Sequence, residues 1–156
     1  MTTTDLDLET SRIIRAPRQR VWTAWTDPQR LAQWWIPRPT RCRVAALDLR
    51  PGGAFVTEMS EPGEPFGPHL TACFLDVVPN ERIVFTDALT AGWRPAAGGF
   101  MTAVITFHDH PEGTAYSALA MHKDRADRDR HEKLGFHDGW TTVAAQLAEL
   151  VETPAG

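Results

Sequence analysis

Residues 124–152 read DRADRDRHEKLGFHDGWTTVAAQLAELVE, a stretch without proline and the longest helical candidate in the chain. As one helix it would reach about 40 Å at the standard rise per residue. Projection at 100° per residue gathers Phe136, Trp140, Val143, Leu147, Leu150 and Val151 into one apolar stripe, the face expected to pack on the rest of the protein. Carried backwards, the same projection brings Glu132, Asp129 and Arg125 onto that face, so the stripe turns from apolar to charged, and His131 and His137 point away from it. Two readings follow: either the first turns outrun the core and are solvated, or these charges overhang the mouth of a cavity. Gly135 and Gly139 lie one turn apart on the edge of the stripe, and each costs about 1 kcal/mol relative to alanine. Close backbone approach or room for a bound molecule would offset that cost.

Upstream, residues 41–122 break into runs of strand-favouring residues separated by turn signals, as in an antiparallel meander. The runs are 42–49, 54–59, 70–78, 82–89, 100–108 and 114–122. Pro51-Gly52-Gly53, Pro79-Asn80 and Pro111-Glu112-Gly113 mark tight connections, while 62–68 and 91–99 are longer and carry Phe66 and Trp93, which makes them candidate portals or pinned surface loops. In the last run, alternation puts Tyr116, Ala118, Ala120 and His122 on one face and Ser117, Leu119 and Met121 on the other, and hydrophobicity alone does not choose the inner set. At the other end of the chain, residues 6–15 suit a strand. Pro17 suits the first turn of a helix bearing Val21, Trp22 and Trp25, and Asp27 can cap a second short helix through Leu31, Trp34 and Trp35.

A chain of 156 residues, 42% hydrophobic and 23% charged, fits one domain (1–156, core 6–152) with a core of its own. The net charge of −4, with basic and acidic residues intermixed, argues against nucleic acid as a partner. No signal-like start and no 18-residue apolar run occur, so a cytoplasmic protein with no membrane partner is expected. Cys42 and Cys73 lie outside any CxxC motif and are read as reduced, packed thiols. His108 and His110 flank a hairpin turn, and neither they nor His122, His131 and His137 have ligand spacing, so no metal and no cofactor is expected. GxSxG, GxGxxG and phosphate-binding glycine loops are all missing.

The order of strand, two short helices, six strands and a long helix resembles the START-like (SRPBCC) superfamily. IIRAPRQRVWTAW at 13–25, DPQRLAQWW at 27–35, LDLRPGGAF at 47–55, VVPNERIVFT at 77–86 and HEKLGFHDGWTTVAAQL at 131–147 are similar, in that order, to motifs of the family named after the activator of heat-shock-protein-90 ATPase. The resemblance implies an α+β helix-grip fold: a curved antiparallel sheet of six to seven strands wrapped around a long C-terminal helix, with two short helices after the first strand. Superfamily relatives bind lipids, hormones or polyketides, and a few are cyclases or hydrolases. In the eukaryotic activator a separate N-terminal domain makes the principal chaperone contact, so chaperone activation is not expected here.

The expected function is binding of a small, largely apolar molecule between sheet and helix. Its candidate lining is Trp35, Phe55, Phe74 and Met101, with Trp93 at a loop tip. The last strand adds Tyr116, Ala118 and His122, and the helix adds Glu132, Phe136 and Trp140. The enzymatic alternative is a cyclase-like or hydrolase-like reaction using Glu132, or Asp129, with His122 as acid and base. A third reading is an interaction module exposing Leu119 and Met121, with a homodimer as the first partner to test.

Overall fold

The structure, a computed structural model, describes residues 3–153. A short 3-10 helix (Thr3–Leu6) leads into β1 (Asp7–Ile14), then α1 (Arg18–Thr26) and α2 (Pro28–Leu31). Strands β2 (Arg41–Leu47), β3 (Ala54–Ser60), β4 (Gly67–Val78) and β5 (Arg82–Thr86) follow, then a small hairpin of β6 (Leu89–Thr90) and β7 (Arg94–Pro95). The chain closes with β8 (Thr102–His110), β9 (Gly113–Met121), α3 (Arg125–Lys133) and α4 (Phe136–Glu152). Seven strands pair antiparallel in the order β1-β9-β8-β5-β4-β3-β2, which with the helix on their inner face is the α+β helix-grip architecture.

Local chemistry accounts for the elements. Asp27 caps α2 by accepting from the Gln29 N–H at 2.9 Å, and Asp124 caps α3 through the Asp127 N–H at 2.8 Å. In β9 the residues Thr114, Tyr116, Ala118 and Ala120, continued by His122 just past its end, alternate inward and are buried, while Ser117, Leu119 and Met121 take the outer face. Across the sheet Ala120 faces Ala103 and Leu8, and Ala118 faces Ile105, so the floor beneath the start of α4 is built largely of small side chains. The 91–99 segment supplies the turn and second strand of the β6–β7 hairpin, and the Trp93 ring lies against Gly52, where an added Cβ would come within 2.8 Å of the indole nitrogen.

The long C-terminal helix is two helices. Gly135 adopts φ +100°, a conformation L residues rarely take, and ends the first helix so that α4 starts in a new direction. Seventeen residues remain in α4, about 25 Å. It runs alongside β1 in the same sense: Phe136 packs with Leu8, Thr141 meets Thr10 at 3.3 Å, and the Glu152 carboxylate accepts from the Arg15 N–H at 2.8 Å. Phe136, Val143, Ala144, Leu147, Ala148 and Val151 bury its inner face, with Trp140 and Leu150 partly buried. Among them sits Gln146, whose amide donates to the Trp34 and Ile36 carbonyls at 3.0 Å each and accepts from the Arg38 N–H at 2.9 Å. Those three bonds tie α4 to the segment leaving α2, which carries Trp35.

Candidate functional site

Between the start of α4 and the sheet lies a cavity of about 440 Å³. Trp35, Phe136 and Val143 form its buried walls, Met101 and Trp140 its half-buried ones, and Pro37, His69 and Leu134 stand exposed at its rim. Leu134, at 74% exposure the most exposed large apolar side chain among the described residues, marks where the cavity opens to solvent beside the helix break. The Trp140 ring sits 5.4 Å from Phe136 and 6.1 Å from Trp35, so three aromatic rings line one continuous wall. The Trp35 indole N–H is buried and makes no hydrogen bond with the described residues.

One end of the cavity is polar. The His122 Nδ1 lies 2.7 Å from the Leu6 carbonyl, and its Nε2 lies 2.8 Å from His131 Nδ1. A carbonyl only accepts, so His122 Nδ1 carries a proton and donates it. In a neutral pair, His122 Nε2 is then an acceptor and His131 Nδ1 must donate to it. Burial, with the nearby charges of His122 and Arg130, pushes His131 down to about 4 despite an opposing effect from Asp87, so His131 is neutral at physiological pH. Phe100 packs on the His131 ring at 4.8 Å, and the Asp87 carboxylate accepts from the Phe100 and Met101 N–H groups at 2.7 and 3.0 Å, fixing that wall. On the opposite rim His69 Nδ1 meets Thr57 Oγ1 at 2.8 Å.

Of the residues expected to line a site, Trp35, Met101, Phe136 and Trp140 come together around this cavity. His122 stands behind it, joined through His131. Phe55, Phe74, Tyr116 and Ala118 are fully packed elsewhere in the core: Phe55 stacks on Phe74 at 5.0 Å, and the Tyr116 hydroxyl accepts from the Trp25 indole at 3.1 Å. Trp93 stays outside on its hairpin, 49% exposed. Glu132 faces outward on α3, which buries no residue, and pairs with Arg128 at 2.9 Å and His137 at 3.6 Å. Asp129 is likewise held by Arg128 at 3.1 Å. Of the two readings open for these acids, the solvated one is found, because Gly135 interrupts the helical phase and turns α3 outward, and the same break brings His131 to the cavity instead of away from it.

His131 and His69 are the functional candidates that pattern reading misses. His69 falls at a β-bulge: Thr57 pairs with Leu70 and Glu58 with Pro68, leaving His69 as the extra residue turned toward the cavity rim. No simple sequence signal marks such a bulge, although glycine at 135 in an otherwise helical stretch is a signal for the helix break. Both cysteines are free, and burial raises the Cys42 thiol to about 11, which keeps it protonated and unreactive. Among the described residues no cluster of three or more His, Cys, Asp or Glu could hold a metal ion, and no helix is long and apolar enough to cross a membrane.

Comparison with known proteins locates this architecture. Residues 15–152 match the family described as Activator of Hsp90 ATPase homolog 1-like protein. The fold superposes on a crystal structure of a Nitrosomonas europaea protein with TM-score 0.87 and 41% identity, covering 97% of both chains. A Chromobacterium violaceum crystal structure gives TM-score 0.76 and 30% identity over 94% of this chain and 97% of that one. At 22% identity a Mycobacterium smegmatis protein shares the fold, with TM-score 0.79 over 99% of this chain and 96% of the other. No curated protein matches the chain. With the family match spanning most of its length and a 41% identical relative covered almost end to end, the chain belongs to the Activator of Hsp90 ATPase homolog 1-like family.

Proposed function

We propose that the protein binds a small, largely apolar molecule in the cavity between α4 and the sheet. The observation that carries this reading is the cavity of about 440 Å³ with aromatic and aliphatic walls between α4 and the sheet. Pockets of this size and character are those in which proteins hold drug-sized ligands, with affinity drawn mainly from buried apolar area at about 25 cal/mol per Å². Enzymatic action by Glu132 has no support, since its carboxylate is engaged on the outer surface.

Native mass spectrometry of protein purified from its own host should reveal a bound apolar species released by organic extraction. Independently, 2-methoxynaphthalene should alter the tryptophan emission, because Trp35 and Trp140 both line the cavity. Protein that emerges ligand-free and whose emission does not respond would end this reading.

A further inference from the structure

The cavity is apolar except at its imidazoles, and one of these is held by a chain of hydrogen bonds that dictates what it offers. From Leu6 the chain runs outward: carbonyl oxygen, His122 Nδ1–H, His122 Nε2, His131 Nδ1–H. The Leu6 carbonyl also accepts from the His122 backbone N–H at 3.2 Å, so the first imidazole is anchored at two points. The second imidazole is clamped between Phe100 at 4.8 Å and Phe136 at 5.0 Å. With its Nδ1 proton committed, neutral His131 has one polar valence left, the Nε2 lone pair, and among the described residues nothing donates to it. That nitrogen is not among the buried side-chain atoms lacking a partner, and its residue lines the cavity, so it remains within reach of a guest.

We infer that the His122–His131 pair is a hydroxyl-recognition site, in which His131 Nε2 accepts a hydrogen bond from a phenolic or enolic hydroxyl on an otherwise apolar ligand. The inference rests on the cavity-binding reading above and adds the ligand's polar group to it. Acceptor character is imposed from outside the cavity, because a backbone carbonyl cannot reverse its role and each ring relays the polarity to the next. An aromatic hydroxyl suits the surroundings, since Phe136, Trp140 and Trp35 supply faces and edges for the ring that carries it. His69, across the rim, differs in kind: its partner is the Thr57 hydroxyl, which can donate or accept, so its free nitrogen has no fixed role.

The test compares 2-naphthol with 2-methoxynaphthalene, which keeps the ring and oxygen but removes the donor, by equilibrium dialysis at pH 7.5. Wild-type protein should prefer 2-naphthol by about tenfold, the usual worth of one well-placed hydrogen bond in a desolvated site. His131→Phe keeps an aromatic ring in place and should reduce that preference to about one while still binding 2-methoxynaphthalene. Equal affinities in the wild type, or a preference that survives His131→Phe, would overturn the hydroxyl site and leave the cavity reading standing; binding of neither probe would remove both. A ligand-free measurement guards against a variant that does not fold: long-range proton–nitrogen NMR correlation should find His122 and His131 both in the Nδ1–H tautomer. An Nε2–H tautomer at His131 would overturn the inference by itself.

Discussion

The two ends of the helix grip are built from the same residue types and come out differently. Toward the C-terminal end of α4, Trp25 meets Trp34, Trp35, Phe55 and Phe85 at ring distances of 5.0 to 6.3 Å, and its indole N–H bonds to the Tyr116 hydroxyl, so the Trp25 ring is enclosed and its one donor satisfied. Toward the N-terminal end, Phe136 packs on Ala120 and Leu8, and beside it the rings of Phe136, Trp140 and Trp35 border the open cavity. Large rings opposite large rings fill one end; at the other, the rings border open space beside Gly135 and Gly139. Stability should therefore reside in the first end and binding in the second.

Two tryptophan truncations separate them most sharply. Trp25→Ala should cost about 3 to 5 kcal/mol in urea melts, from lost packing and a stranded Tyr116 hydroxyl, a large part of the stability of a domain this size. Trp140→Ala removes a ring that is only partly buried and borders open space, so about 1 to 2 kcal/mol is expected, with a clear change in probe binding. Equal losses from the two would erase the distinction between a packed end and an open one.

Acid titration gives a smaller effect, confined to the open end. His131 is pushed down to about 4 in the folded protein, against 6.5 for an unperturbed imidazole, by burial first and then by the charges of His122 and Arg130, with Asp87 opposing. A base whose folded value lies lower binds fewer protons folded than unfolded, so stability should fall as pH drops from about 6.5 toward about 4 and level off below. Solvent screens this half-exposed ring, so the slope will be shallow. His69, lowered by burial, contributes with the same sign. The slope of melting temperature against pH should flatten partly in His131→Phe, and an unchanged slope would mean that His131 is not held neutral in the folded state.

The packed end is legible in the sequence because periodicity is enough to describe it. Val21 and Trp25 repeat at helical spacing, Phe55 and Phe74 fall on the inner faces of their strands, and Asp27-Pro28 punctuates the two short helices as capping chemistry requires. The open end is decided by exceptions to periodicity. A single positive φ at Gly135 reorients everything N-terminal to it, sending Glu132 outward and His131 inward, and one bulge turns His69. Alternation sorts a strand into two faces but tells neither which is inward, as in 114–122, nor how far along it the core is filled, which is why Phe55, Phe74, Tyr116 and Ala118 are packed in the core without lining the cavity.

The smallest expected effect tests what the open space is for. Gly139 lies within α4 and borders the cavity, and a Cβ placed there would meet nothing within 4 Å, so no close backbone approach accounts for the glycine. Replacing glycine with alanine inside a helix stabilises by about 0.5 to 1 kcal/mol when nothing clashes. Gly139→Ala should thus raise the melting temperature slightly, whereas Gly135→Ala, with equally open surroundings but φ +100°, should lower stability by about 1 to 2 kcal/mol. The added methyl at 139 takes volume from the cavity, so the same variant should bind 2-methoxynaphthalene roughly threefold more weakly, the cost of crowding a fitted guest. Gain of stability with loss of binding would mark Gly139 as a position that trades helix strength for ligand room. If the variant is stabilised and binding is untouched, the guest does not reach this wall of α4, and the binding region must be narrowed to the side formed by Trp35, Met101 and His131.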